Sequence, residues 1–161
     1  MSSVHRVMIF LLIAVMLTLG RGEMVIYKSN VPTEDWVCEE TIHDTFRTAV
    51  GYTKAEWYDA LRGTAPQVLN RLPDIAFENE LPILVSLGER PTGGYAVEID
   101  SVIQRGDTLI VTVSCRSPQP DEFVTMAFTY PYSFIVLNRD EIGTVDRVVF
   151  VDWEKTPLGE R

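Results

Sequence analysis

The chain has 161 residues, in which 23 acidic side chains outweigh 14 basic ones for a formal net charge of −9. That length excludes a multi-domain assembly, and that charge repels nucleic acid and anionic lipid. Two cysteines and two histidines allow one disulfide at most and leave little for a metal cage or a histidine-based triad.

The N-terminus reads as an export signal. His5 and Arg6 give a small positive region, and residues 7–19 are apolar and uncharged. That run is short for a membrane span, which needs ~20 residues, and fits the apolar region of a signal peptide. Gly20 and Gly22 are the small residues that a signal peptidase reads, so residues 1–22 are expected to be cleaved. Arg21 is a poor residue there, and a retained N-terminal anchor facing outside is the alternative. No cysteine directly follows the apolar run, so lipoprotein processing is not supported. Secreted or periplasmic localisation is expected, with no stable membrane insertion after cleavage. Residues 1–22 carry Arg6 and Arg21 and no acid, so the remaining 139 residues hold 12 basic and 23 acidic side chains, net −11. That is enough chain for one core.

Residues 23–80 are expected to form an N-terminal part with one helix. Cys38 lies here, and Cys115 ends an apolar strand on the face of Leu109, Val111 and Val113. In an oxidising compartment the two thiols can pair, or they can be separate core residues. Both readings stay open. His43, the only histidine after residue 22, sits between Ile42 and Asp44 and reads as a surface or cap residue, so a catalytic thiol has no evident base. The helix is expected near residues 54–62. Thr53 caps it, Glu56 completes a capping box, and Gly63 stops it. Trp57, Ala60 and Leu61 share one face, which marks Trp57 as a core anchor. Pro73 and Asp74 signal a turn, with Phe77 entering the core.

Residues 81–154 are expected to be a β region packed with this part as one domain. Strands are read over 83–87, 95–103, 108–115, 124–137 and 145–153, with Gly106 and Asp107 as a hairpin turn. In 124–137, Phe128, Tyr130, Tyr132 and Phe134 share a face if the strand is unbroken. Pro131 marks an edge or bulge there. Residues 155–161 read as a frayed tail. The fold class is α+β, mainly β: a twisted antiparallel sheet or small sandwich with one packed helix.

The connector over residues 88–94 is the unusual stretch. Pro91 fixes φ, Gly93 and Gly94 let another backbone approach, and Tyr95 starts the next strand. Arg90, Pro91, Thr92, Gly93, Gly94 and Tyr95 are either a plain hairpin turn or a displayed recognition loop. Glu98 and Asp100 then read as a solvated strand face. The chain has no Gly-rich phosphate loop, no histidine pair at metal spacing and no Cys-x-x-Cys. No cofactor, metal site or catalytic residue is expected.

Residues 81–137 resemble the C-terminal domain of the PrcB family, protease complex subunits. Leu87-Gly-Glu-Arg-Pro-Thr-Gly-Gly-Tyr95, Val97-Glu-Ile99 and Thr129-Tyr-Pro-Tyr132 carry the resemblance. It implies a non-catalytic subunit of an extracytoplasmic protease complex and supplies no catalytic residue. The loop from Arg90 to Tyr95 is also similar, at loop level, to the Pro-Thr-containing loop of chagasin-type cysteine peptidase inhibitors. Arg90 and Gly93 depart from that pattern. The function expected is a secreted, non-catalytic protein-binding domain, an accessory subunit or inhibitor-like regulator whose partner is a secreted peptidase. The alternative is a small-molecule or envelope-polymer binding module that uses an aromatic surface with Tyr130 and Tyr132.

Overall fold

The computed structural model describes residues 22–38 and 45–161. The expected signal up to residue 21 and His43 lie outside them. Among the described residues the elements run β1 (Glu23–Lys28), β2 (Arg47–Val50), α1 (Lys54–Ala60), α2 (Pro66–Leu69), β3 (Glu80–Ser86), β4 (Ala96–Arg105), β5 (Thr108–Arg116), β6 (Tyr132–Asn138), β7 (Arg147–Val151) and β8 (Pro157–Glu160). They form a five-stranded sheet, β1-β4-β5-β7-β8, and a three-stranded sheet, β2-β3-β6. The mainly-β class with helix packed on sheet is what the structure has.

The main core lies between the sheets. Alternate residues of β4 and β5, among them Val97, Ile99, Leu109, Val111 and Val113, meet Leu81, Ile83, Val85, Ile135 and Leu137 of β3 and β6. A bulge at Asp100 shifts the pairing of β4 between Ile99 and Ser101, so both Ile99 and Val102 point inward. The outer face of the three-stranded sheet carries a second cluster. There Leu84 packs with Ala49, Trp57, Leu61 and Val68 beneath the two helices. β3 is therefore buried on both faces, which accounts for its near-continuous apolar sequence. Pro82 sits within β3, at a position where β2 has already ended opposite Ile83. The sheets also approach at their borders: the Ile99 amide donates to Ser133 Oγ at 3.1 Å, and Arg161 Nη2 donates to the Thr48 carbonyl at 3.2 Å.

The α1 start follows the capping logic with one change. Thr53 Oγ1 accepts the Glu56 amide at 3.2 Å, but Glu56 Oε2 takes the amide of Tyr52, at 3.0 Å, rather than that of Thr53. Trp57 is 4% exposed, with its ring 6.2 Å from that of Phe134. Gly51 lies against this turn: a Cβ there would stand 2.6 Å from the Trp57 Cα. The second helix, α2, was not expected. Pro66 opens it and Val68 holds it to the cluster.

Three strand readings need correction. The segment 124–137 is not one strand. β6 starts only at Tyr132, the Pro131 carbonyl accepts the Leu87 amide at 3.0 Å, and upstream a single bridge joins Thr129 to Arg90. The larger sheet is mixed rather than antiparallel, because β5 and β7 run parallel with Thr108 opposite Arg147. The chain between them passes through β6 in the other sheet, the long crossover that a parallel pair needs. Nor is the tail frayed. A turn over residues 152–156 returns it as β8 along β7, and Arg161 and Val148 exchange two backbone hydrogen bonds of 2.7 and 2.8 Å.

Cys38 and Cys115 are disulfide-bonded, with Cα atoms 4.6 Å apart and a sequence separation of 77. The bond pins the segment after β1 to the inner face of β5. A bridge across a loop of that length contributes on the order of 4 kcal/mol in the chain-entropy model. Reductant is therefore expected to lower the thermal midpoint, and the unreduced unfolded chain to show no titratable thiol. Two free thiols in an Ellman assay would refute the pairing. Trp57→Ala is expected to destabilise by about 3–5 kcal/mol in denaturant titration, and an unchanged midpoint would mean that α1 contributes no anchoring.

Candidate functional site

Two loops meet at one end of the molecule: residues 87–95, after β3, and 117–131, between β5 and β6. Their backbones are laced together. The amide of Arg90 donates to the Thr129 carbonyl at 2.8 Å, that of Thr129 to the Arg90 carbonyl at 2.9 Å, and that of Gly93 to the Thr125 carbonyl at 2.8 Å. Thr129 Oγ1 adds a bond to the Thr92 carbonyl at 2.7 Å. The loop is thus a supported ribbon rather than a free finger.

Each residue singled out from sequence has a defined place in it. Arg90 turns inward: Nη2 donates to Thr45 Oγ1 at 2.6 Å, and the guanidinium lies 5.5 Å from the Tyr95 ring centroid. Among the described residues its Nε is buried without a hydrogen-bond partner. Pro91 is exposed at the tip, whereas Thr92, Gly93, Gly94 and Tyr95 are half-buried. Gly94 has φ +85°, and a Cβ there would stand 2.8 Å from both Pro118 Cβ and Val124 Cγ1. Its carbonyl accepts Arg116 Nη1 at 2.7 Å. The other end of that guanidinium grips both oxygens of Glu122, at 2.7 and 2.8 Å. This hydrogen bonding, with that from the Gln119 amide, holds the Glu122 carboxyl below its ordinary range. The contact therefore stabilises the loop at neutral pH and is lost as pH falls through the lowered pKa.

Held at Glu122, the second loop displays apolar side chains. Phe123 is 104% exposed, Met126 85% and Phe128 67%. Three large apolar side chains so exposed within six residues exceed the single scattered exposures usual on a surface. The sequence reading missed Phe123 and Met126. Their signal was two large apolar residues between Pro120 and Pro131, in a segment unable to pair as a strand and bury them.

Tyr130 and Tyr132 do come together, but across a loop-strand junction rather than along one strand. With Tyr95, Phe128, Gln67 and Arg71 they line a groove of about 580 Å³. Both tyrosines lean on the Trp57 cluster. The Tyr130 hydroxyl donates to Glu89 Oε2 at 2.6 Å, which raises the Tyr130 pKa.

Glu98 and Asp100 do not form a simple solvated face. Ser29 Oγ donates to Glu98 at 2.6 Å. Asp100 accepts Thr33 Oγ1 at 2.7 Å and also the Ser114 hydroxyl. These half-buried carboxylates tie the segment after β1 to β4. Among the described residues no group of three or more His, Cys, Asp or Glu is placed to hold a metal ion, and no helix is long and apolar enough to cross a membrane.

Residues 81–138 match the family model described as PrcB C-terminal. This span, about a third of the chain, contains both loops. An uncharacterized protein of Methanocaldococcus jannaschii is 33% identical over 61 residues, which cover 38% of this chain and 36% of that protein. The chain thus matches about a third of the length of this relative. No solved structure matches.

The two loop glycines separate cleanly. Gly94→Ala forces a left-handed conformation that costs about 1–2 kcal/mol for a residue with a Cβ, besides the contacts with Pro118 and Val124, so its midpoint should fall. Gly93→Ala should leave the midpoint near wild type, because the nearest atom to its Cβ, the Thr125 amide nitrogen, is 3.4 Å away. Equal losses in a melting experiment would contradict this placement.

Proposed function

We propose that this chain is a secreted, non-catalytic protein-binding domain that serves as an accessory subunit or inhibitor-like regulator of an extracytoplasmic peptidase. The observation that carries this reading is the exposed apolar set Phe123, Met126 and Phe128 on a loop hydrogen-bonded to the ribbon of Arg90–Tyr95. Phenylalanine and methionine are enriched where protein interfaces bury their centres. The ribbon beneath is already ordered, so little further entropy is lost when a partner docks. The match of residues 81–138 to the PrcB C-terminal family model, a family of protease complex subunits, supports a peptidase as the partner.

This surface differs from the one that the loop sequence by itself pointed to. Arg90 acts as an internal brace, Pro91 is the exposed tip, and the contact area lies mostly on residues 123–128.

Pull-down from the extracellular fraction with the wild-type chain is expected to retain a peptidase. Phe123→Ser combined with Met126→Ser should abolish that capture with an unchanged melting midpoint, since both side chains are in solvent. Arg90→Ala should instead lower the midpoint by removing the brace to Thr45 and Tyr95. Undiminished capture by the Phe123/Met126 double variant would rule out this docking face.

A further inference from the structure

The groove beside the docking face has a chemistry of its own. Its walls are the rings of Tyr95, Phe128, Tyr130 and Tyr132, and its polar groups come from Gln67 and Arg71, on α2 and the turn that follows. The Tyr130 and Tyr132 walls are preformed, because both pack on the Trp57 cluster and the Tyr130 hydroxyl is fixed by Glu89, whereas Phe128 stands mostly in solvent. A volume of about 580 Å³ lies in the range of small-ligand pockets, and the lining is about half polar and half apolar. It suits two or three residues of a peptide rather than a long traversing strand.

The charges select the ligand further. Arg71 is the cation in the lining, and among the described residues its guanidinium makes no ion pair or hydrogen bond. Gln67 Nε2 and Oε1 are likewise unengaged among the described residues, and the Arg71 and Gln67 side chains both face solvent. Arg90 already stacks over Tyr95, and Arg71 adds a second positive charge, so a cationic guest is disfavoured. Glu89 is taken up by the Tyr130 hydroxyl, which keeps a guest carboxylate away from that end of the groove. An unpaired, planar guanidinium beside aromatic walls is a bidentate receiver for a carboxylate flanked by apolar groups.

From this we infer that the groove binds the C-terminal end of an apolar peptide, with its terminal carboxylate on Arg71, its last amides on Gln67 and its side chains against the tyrosine and phenylalanine rings. The inference rests on the reading of the chain as a protein-binding regulator of a peptidase, since peptide-bond hydrolysis produces new C-terminal carboxylates.

The test is fluorescence polarisation with an N-terminally labelled hexapeptide that ends in proline, leucine and phenylalanine. One form has a free C-terminal carboxylate and the other a C-terminal amide. The wild-type protein is expected to bind the acid at least ~10-fold tighter than the amide, the size of one charge-assisted hydrogen-bonded contact. Arg71→Ala should weaken the acid to the level of the amide and leave the amide unchanged. Phe128→Ala should weaken both. Equal affinities of acid and amide for the wild type, no binding of the acid, or an acid preference that survives Arg71→Ala would each overturn the assignment. The Phe123/Met126 double variant keeps the groove and should still bind the acid. If the peptide fails to bind while that variant still loses the captured peptidase, the groove assignment falls and the docking face stands.

Discussion

The burial of β3 on both faces is the constraint on which the rest depends. Leu81, Ile83 and Val85 enter the main core while Leu84 enters the helix-side cluster, so one strand joins three layers. Each fully buried aliphatic side chain contributes about 1.5–3 kcal/mol relative to exposure, and β3 carries the longest buried run of the three-stranded sheet, Leu81 to Ser86. With β3 fixed, its two ends have fixed exits. The chain leaving Ser86 must then cross to β4 in the opposite sheet, and the ribbon of Arg90–Tyr95 makes that crossing.

That origin explains why the connector is so constrained. It is flanked by Pro131 just before β6 and by Arg116 at the end of β5, and both bond to it. Gly94 supplies a backbone conformation and a clearance that a residue with a Cβ lacks. Arg90 braces the ribbon from the other side through Thr45 and Tyr95. A Gly-rich sequence that could serve as a mobile finger is instead a rigid support. The surface it supports is the neighbouring loop, where Arg116 holds Glu122 and leaves Phe123, Met126 and Phe128 in water.

The same packing creates the groove. Tyr130 and Tyr132 are half-buried because the Trp57 cluster ends beneath them, and α2 is present because Val68 fills that cluster from above. Gln67 and Arg71 are carried to the aromatic wall by this anchoring. The exposed apolar loop and the groove therefore share Phe128 and one scaffold.

Locally encoded features were legible in the sequence. The helix start lay in Thr53 and Glu56, within four residues. The β4–β5 turn lay in Gly106, which adopts φ +62°, and alternation placed the inward face of β5 and that of β4 as far as Ile99, where the bulge at Asp100 shifts it. Trp57 was identifiable as an anchor from Ala60 and Leu61. What only the tertiary structure decided were the relations between distant segments: the parallel pairing of β5 with β7, the return of β8, the union of Cys38 with Cys115, the inward turn of Arg90, and the meeting of Arg71 with Tyr132. Caps, turns and periodicity are energies of a few neighbouring residues and can be read along the chain. Strand partners and exposed loops are set by apolar area summed over all the layers at once, and that sum exists only after the chain has packed.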